Sequence, residues 1–303
     1  MTNIPRTEYP RPQLVRNQWL CLNGPWQFQI DHGVSGAERG WQSGHAFTGE
    51  ILVPFCPESA LSGLANRDFM NCVWYRRVVR IPDAWRARRV HLHIGACDYE
   101  TRVYVNDREA ARHRGGYTPL SADITDLLQG REAEIVIEAR DDVRNGRQPA
   151  GKQSSRYESH GCHYTRTTGI WQTVWLESVP EVHVQRLHAH VSPHEGSGHL
   201  TIIPGGVRRP FTVSGRILAD GQEVAAFSAR SPGCTPAVAA FALPEPRLWH
   251  VGDPFLYDVE LDLVSRTGTD RVRGYFGVRE IGVDGRRLML NGKPLFMRTV
   301  LDQ

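Results

Sequence analysis

The stretch RVHLHIGACDYETRVYVND, residues 89–107, decides the fold class. Val90, Leu92 and Ile94 alternate with polar neighbours, Val103 and Val105 repeat the alternation, and Asn106-Asp107 supplies a turn. A period of two places alternate side chains on one face of a pleated strand. EIVIEAR, residues 134–140, repeats the pattern with Ile135, Ile137 and Ala139, so each stretch predicts a half-buried strand. No segment keeps apolar residues at i, i+3, i+4 and i+7 for four turns, and SADITDLLQG, residues 121–130, has room for one or two helical turns. The expected fold is all-β, and many short strands between turn residues favour sandwiches or barrels over βαβ units.

A second series of strands starts past GIWQTVWLESV, residues 169–179, where Pro180 interrupts a dense apolar run. FTVSGRILADGQEVAAF, residues 211–227, reads as a hairpin around Asp220-Gly221, and the strand spacing onward is that of an immunoglobulin-like sandwich. The expected domains are residues 1–181, 182–281 and a terminal hairpin at 282–303. In RRLMLNGKPLFMRTVLDQ, residues 286–303, Asn291-Gly292 is the expected turn and Leu295–Leu301 the expected second arm. That arm is apolar on both faces for most of its length, as a strand buried on two sides would be.

Composition excludes several classes of function. Of 303 residues, 40% are hydrophobic and 23% charged, ordinary values for a globular chain with two domains. No run of eighteen apolar residues and no apolar leader is visible, so a cytoplasmic protein without a membrane partner is expected. Lys152 and Lys293 are the only lysines among 36 basic residues, and 33 acidic residues nearly cancel the charge. With no basic stripe or docking motif, a nucleic-acid partner is not expected. Six cysteines without CxxC spacing read as reduced and mostly structural. GxSxG, P-loop and HExxH motifs are absent. Asp98, Glu100, Asp141, Asp142, Glu158 and Asp253 are the available carboxylates, and all fall in strand ends, turns or loops, so no catalytic residue is expected.

Seven blocks, taken together, resemble glycoside hydrolase family 2, the group of β-galactosidases, β-glucuronidases and β-mannosidases. They are LNGPWQFQID (22–31), VPFCPESALSGL (53–64), VWYRRVVRIP (73–82), the region 89–128, TTGIWQTVWLE (167–177), LWHVGDPFLYDVEL (248–261) and GVREIGVDGRRLMLNGKPLFMR (277–298). The resemblance implies a galactose-binding-like jelly roll, then an immunoglobulin-like sandwich, then a (β/α)8 barrel whose first strand follows the terminal hairpin. Such a barrel takes about 250 residues. The expectation is therefore that this chain is the accessory, non-catalytic part of a retaining β-glycosidase, with both catalytic glutamates in the barrel and no cofactor.

In SRYESHGCHYTRTTGIW, residues 155–171, His160, Cys162 and His163 have no established metal-ligand spacing, so no metal is expected. In the β-galactosidases that the chain resembles, the stretch before this strand presents a carboxylate to the sugar. His163 falls near that position, so His163, Tyr164 and Arg166 are the expected substrate-binding residues, able to hydrogen-bond hydroxyls or pair with a uronic acid. A stand-alone carbohydrate-binding module is the rival reading and needs exposed aromatics, for which Trp41, Trp74, Tyr75, Trp85, Tyr104 and Tyr117 are candidates. Trp26, Trp74, Trp171 and Trp175 lie in strand patterns where packing is the default. The β-surfaces are also compatible with a homo-oligomer, although no motif specifies one.

Overall fold

The computed structural model describes residues 4–301, leaving the outermost residues of the first and last expected segments, 1–3 and 302–303, outside the description. It is all-β, with antiparallel sheets and only short 3₁₀ turns. The chain divides into two units, Gln18–Ser178 with the segment ending at Pro10, and Arg11–Asn17 with the chain from Val179 onward.

In the first unit a four-stranded sheet runs in the order Trp19–Cys21, Val174–Val179, Arg89–Ile94, Leu120–Asp123. A six-stranded sheet runs Gly49–Val53, Gly24–Ile30, Cys72–Arg80, Glu132–Arg140, Glu100–Val105, Arg108–Arg114. The expected alternation fills the core between them: Val90, Leu92, Ile94, Val103, Val105, Ile135, Ile137 and Ala139 are all buried in one cluster with Trp26 and Tyr75. SADITDLLQG forms a single 3₁₀ turn, Thr125–Leu127.

The central strands Cys72–Arg80, Glu132–Arg140 and Glu100–Val105 have more than half of their residues buried, which alternation alone does not predict. Val136 and Tyr104, on the opposite face, are buried with Trp41, Phe47, Cys72 and Trp74 in a second, smaller core. Residues 31–47 cover that face, with Trp41 edge-on to Trp74 at 5.9 Å between ring centres and Tyr104 stacked on Trp74 at 6.3 Å.

Local turn chemistry sets the hairpins. Asn106 and Asp107 take φ of 48° and 68°, Asp220 and Gly221 take 49° and 79°, and Asn291 and Gly292 take 51° and 72°. Both central residues of a two-residue turn that follows the right-handed twist of its strands need such values. Asn106 also donates through Nδ2 to the Leu127 carbonyl at 2.8 Å and accepts the Glu134 amide at 3.0 Å. Asn106→Ala therefore loses two hydrogen bonds and puts a Cβ in a left-handed turn, and should destabilise the first unit by about 2–3 kcal/mol in a denaturant titration. Asn106→Gly should recover only the backbone share.

The second unit packs a three-stranded sheet, Val182–Val191, Ser197–Gly206 and Ala237–Ala242, on a four-stranded one ordered Gln222–Ser231, Phe211–Ala219, Tyr257–Ser265, Gly268–Phe276. Burial alternates strictly along Ala237–Ala242, and Val213, Ile217, Val259, Leu261 and Leu263 meet Leu200 and Ile202 in the core. Arg11–Asn17, expected within the first domain, belongs here instead. Val15 pairs with Arg273, Leu14 enters this core, and Arg16 binds Asp270. The terminal hairpin is also different from its expectation. Ile281–Asp284, Arg287–Leu290 and Lys293–Pro294 form a three-stranded sheet, but no strand continues through 295–301. Only the start of the second arm is tied back, the Leu295 amide donating to the Leu288 carbonyl at 2.7 Å, while Phe296 and Val300 beyond it are 85% and 92% exposed.

The six cysteines are all free, with Cys72 and Cys97 buried and Cys162 and Cys234 exposed. Among the described residues no helix is long and apolar enough to cross a membrane.

Candidate functional site

The first unit carries a long loop between Arg140, the last residue of a central strand, and Gly169, where a short strand Gly169–Ile170 pairs with Cys97–Asp98. Nearly thirty residues without regular structure are unusual inside a sandwich, and such loops are commonly functional. This one is pinned at three places by neutral donors on buried carboxylates. Gln148 Nε2 donates to Asp141 Oδ1 at 2.6 Å, and Gln153 Nε2 donates to Asp98 Oδ2 at 2.8 Å. Thr168 donates to Glu58 through Oγ1 at 2.6 Å and through its amide at 3.2 Å. Thr167 N–H in turn donates to Gln153 Oε1, tying the middle of the loop to its end.

Burial pushes all three carboxyls up. Asp98 rises to about 6, with nearby Glu58 adding to the effect, and Asp141 to about 8, with Asp98, Glu58 and Asp142 adding to it. Glu58 rises as well, less so because Thr168 donates to its charged form. Among the described residues no basic side chain forms an ion pair with any of them. Asp141 Oδ2 is buried without a hydrogen-bond partner. A perturbed acid in a cleft is a candidate general acid, but here backbone closes over the group. A Cβ on Gly116 would stand 2.4 Å from Asp98 Oδ1, so no sugar reaches that face. The remaining carboxylates stay near solvent or in ion pairs: Glu100 with Arg114, Asp253 with Arg247, and Glu158 exposed.

The residues expected to bind substrate separate into two groups. His163 is half-buried and Tyr164 is 49% exposed. His160 and His163 exchange backbone hydrogen bonds across Gly161-Cys162 at 3.0 and 2.8 Å, which makes the tip a tight turn. Their rings stack 5.0 Å apart and 14° from parallel. Imidazole lone pairs lie in the ring plane, so stacked rings do not converge on one cation, and no group of three or more metal-ligating side chains exists among the described residues.

Arg166 is corrected by the structure. It is buried, and its guanidinium donates to the carbonyls of Ser154 at 3.2 Å and Arg156 at 2.7 Å, as well as those of Arg67 and Tyr157. It also lies 4.1 Å over the Phe69 ring. Its Nη1 and Nη2 serve these four carbonyls and its Nε is buried, so no edge of the guanidinium is open for a bidentate grip on a carboxylate, and Arg166 shapes the loop from inside. Its position three residues before a buried strand is the only sequence hint of this.

The aromatics are mostly core. Trp41, Trp74, Tyr75, Trp85 and Tyr104 are buried, and of the six candidates only Tyr117, 61% exposed, reaches solvent. It stands edge-on to Trp171 at 5.5 Å, and Trp171 Nε1 donates to the Gly116 carbonyl at 2.7 Å. Sequence alone missed the roles of Gln148, Gln153, Thr168 and Glu58. Their only signal was a run of polar residues around a TGI strand.

Comparison with known proteins gives the family. Residues 60–180 match the domain described as "Glycosyl hydrolases family 2, sugar binding domain", and residues 182–279 match "Glycosyl hydrolases family 2". The chain is 25% identical to the β-glucuronidase of Felis catus over 96% of its own length and 49% of that protein. It is 23% identical to the β-galactosidase of Thermoanaerobacter pseudethanolicus over 77% of its length and 32% of that protein. The apo β-glucuronidase of Ruminococcus gnavus shares the fold with a TM-score of 0.76 at 23% identity, over 96% of this chain and 50% of that one. The chain thus spans about half the length of the β-glucuronidases it matches, through a jelly roll and an immunoglobulin-like sandwich, and it belongs to glycoside hydrolase family 2.

Proposed function

We propose that this chain is the accessory part of a retaining β-glycosidase and that the tip of loop 142–168 lines the sugar site, His163 and Tyr164 contacting sugar hydroxyls. The observation that carries the reading is the division of labour in the loop: its base is bound to buried carboxylates and to Arg166, while at its tip the Tyr164 phenol is exposed and the His163 imidazole is half-buried against His160. Groups that recognise a ligand need to be held from behind before they bind, since ordering them afterwards costs affinity. The stand-alone module has less support, because five of its six candidate aromatics are buried and the sixth, Tyr117 on a half-covered tryptophan, makes a narrow platform.

Glycoside hydrolysis with retention takes two carboxyls about 5–5.5 Å apart, one as nucleophile and one as acid then base. The buried trio is occupied in holding the loop, so residues 1–303 by themselves are expected to leave aryl β-glucuronides, β-galactosides and β-mannosides intact. The polypeptide encoded by the complete reading frame is expected to hydrolyse at least one, with the β-glucuronide first in the panel. In it, His163→Ala and Tyr164→Ala should each lower kcat/KM by roughly tenfold, the value of one hydrogen bond to substrate. Unchanged kinetics in both variants would remove the loop from the sugar site. Turnover by residues 1–303 that vanished with one of their own carboxylates would remove the accessory reading altogether.

A further inference from the structure

Three carboxyls buried together without a counter-cation are more than a loop needs for anchoring. Amide and hydroxyl donors satisfy part of each, yet Asp141 Oδ2 is buried with no hydrogen-bond partner among the described residues. A buried carboxylate oxygen with nothing to accept from is costly, and the cost disappears when that oxygen carries a proton. Resting on the reading of this loop as sugar-facing, we propose that Asp141, Asp98 and Glu58 form a proton-dependent latch, and that Asp141 and Gln148 are positioning residues that dock loop 142–168 only while the trio holds a proton.

The groups facing the trio come from every strand and loop around it. Asp142 follows Asp141 in the loop, Cys97 precedes Asp98 on its short strand, Cys56 lies beside Glu58, and Tyr75 faces Glu58 from a central strand. Burial holds the Cys56 and Cys97 thiols up at about 12 and the Tyr75 phenol well above its usual range, so none of the three ionises near neutrality. Neither histidine nor arginine appears among the charges acting on Asp98, Asp141 or Glu58. The trio therefore has no internal cation to replace a lost proton.

The direction follows from linkage. The docked loop keeps a proton that hydrated carboxyls release at much lower pH, so docking is strongest in mild acid. It weakens as pH rises from the ordinary carboxylate range, up to about 6 for Asp98 and up to about 8 for Asp141, so above pH 6 the remaining dependence belongs to Asp141. Each pH unit within that window changes a one-proton equilibrium by up to tenfold. A loop that loosened at alkaline pH would still be tethered at Gly169–Ile170 and through Arg166, and only its registration over the trio would be lost.

The test is amide hydrogen exchange of residues 1–303 between pH 6 and 9, corrected for intrinsic rates and read separately for peptides within 142–168 and for the strand Arg89–Ile94. In the wild-type chain, loop protection should fall at least tenfold across this range while the strand holds steady. Asp141→Asn keeps an acceptor for Gln148 and cannot ionise, so its loop protection should stay flat at the acid value. Asp98→Asn, the second variant should the first fail to fold, removes one charge from the same cluster and should shrink the fall at least threefold. A wild-type loop whose protection ignores pH, or a fall that survives both variants, overturns the latch. The measurement needs no glycosidase activity, so the latch can fail while the sugar-facing reading stands, and the reverse.

Discussion

Asp270→Ala is expected to destabilise the second sandwich by about 3–5 kcal/mol, more than any surface substitution in the chain. Arg16 and Asp270 are 4% and 1% exposed, and they meet through two nearly parallel bonds, Nε to Oδ1 at 2.9 Å and Nη2 to Oδ2 at 2.8 Å. Both also serve Val184: its amide donates to Asp270 Oδ2 at 2.8 Å, and its carbonyl accepts from Arg16 Nη2 at 2.6 Å. Truncating the aspartate strands a guanidinium and a backbone donor away from water, and it is this unpaired charge, not the loss of attraction, that costs most. Replacing both partners, Arg16→Met with Asp270→Leu, should therefore restore a large part of the loss, leaving mainly the Val184 amide unsatisfied. Asp253→Ala, at an exposed pair with Arg247, is the control and should leave stability unchanged within error. Exchange of peptides from 182–276 in a guanidinium titration isolates the unit concerned. A loss below about 1 kcal/mol for Asp270→Ala would mean that the pair is hydrated in solution and does not staple Arg11–Asn17 to the sandwich.

Trp74→Ala should cost the first unit a similar amount, about 3–5 kcal/mol, by opening a cavity that rigid neighbours cannot close. The indole is fully buried between Trp41, Phe47 and Tyr104, and its Nε1 donates to Asp31 Oδ2 at 3.4 Å. Asp31 Oδ2 also accepts the Gly36 amide at 2.7 Å, and a Cβ on Gly36 would stand 2.8 Å from both tryptophans. Residues 31–47 are thus draped over one ring. The loss should appear as faster exchange throughout 31–47 before global unfolding, and Trp74→Phe should keep most of the protection because a ring still fills the space. If 31–47 exchanged no faster in Trp74→Ala than in the wild type, the second core would not depend on that contact.

Those two sites mark the boundary of what a linear reading reaches. Alternation in RVHLHIGA and EIVIEAR, and turns at Asn106-Asp107, Asp220-Gly221 and Asn291-Gly292, were legible because strand faces and left-handed turn conformations depend on neighbours one to three residues away. The all-β class, the two sandwiches and the family resemblance follow from such local signals repeated in order. The second arm at 295–301 was misread for the same reason, since an apolar run specifies a need for partners without supplying them.

Everything that required distant residues to meet was decided by the tertiary structure. Arg16 and Asp270 lie 254 positions apart, Thr168 and Glu58 lie 110 apart, and Gln153 and Asp98 lie 55 apart. No periodicity relates such pairs, because sheet topology, not spacing, brings them together. Among the candidates for a sugar platform, Trp41, Trp74 and Tyr104 are core because residues 31–47 fold back over a face that alternation marks as open, and Tyr75 and Trp85 are buried in the main core. Likewise, Arg166 and Tyr164 are two positions apart in one polar loop, and the sequence treats them alike. Burial separates them: carbonyls turned inward by the loop capture the guanidinium, whereas the phenol, with its apolar body and polar tip, is left at the surface.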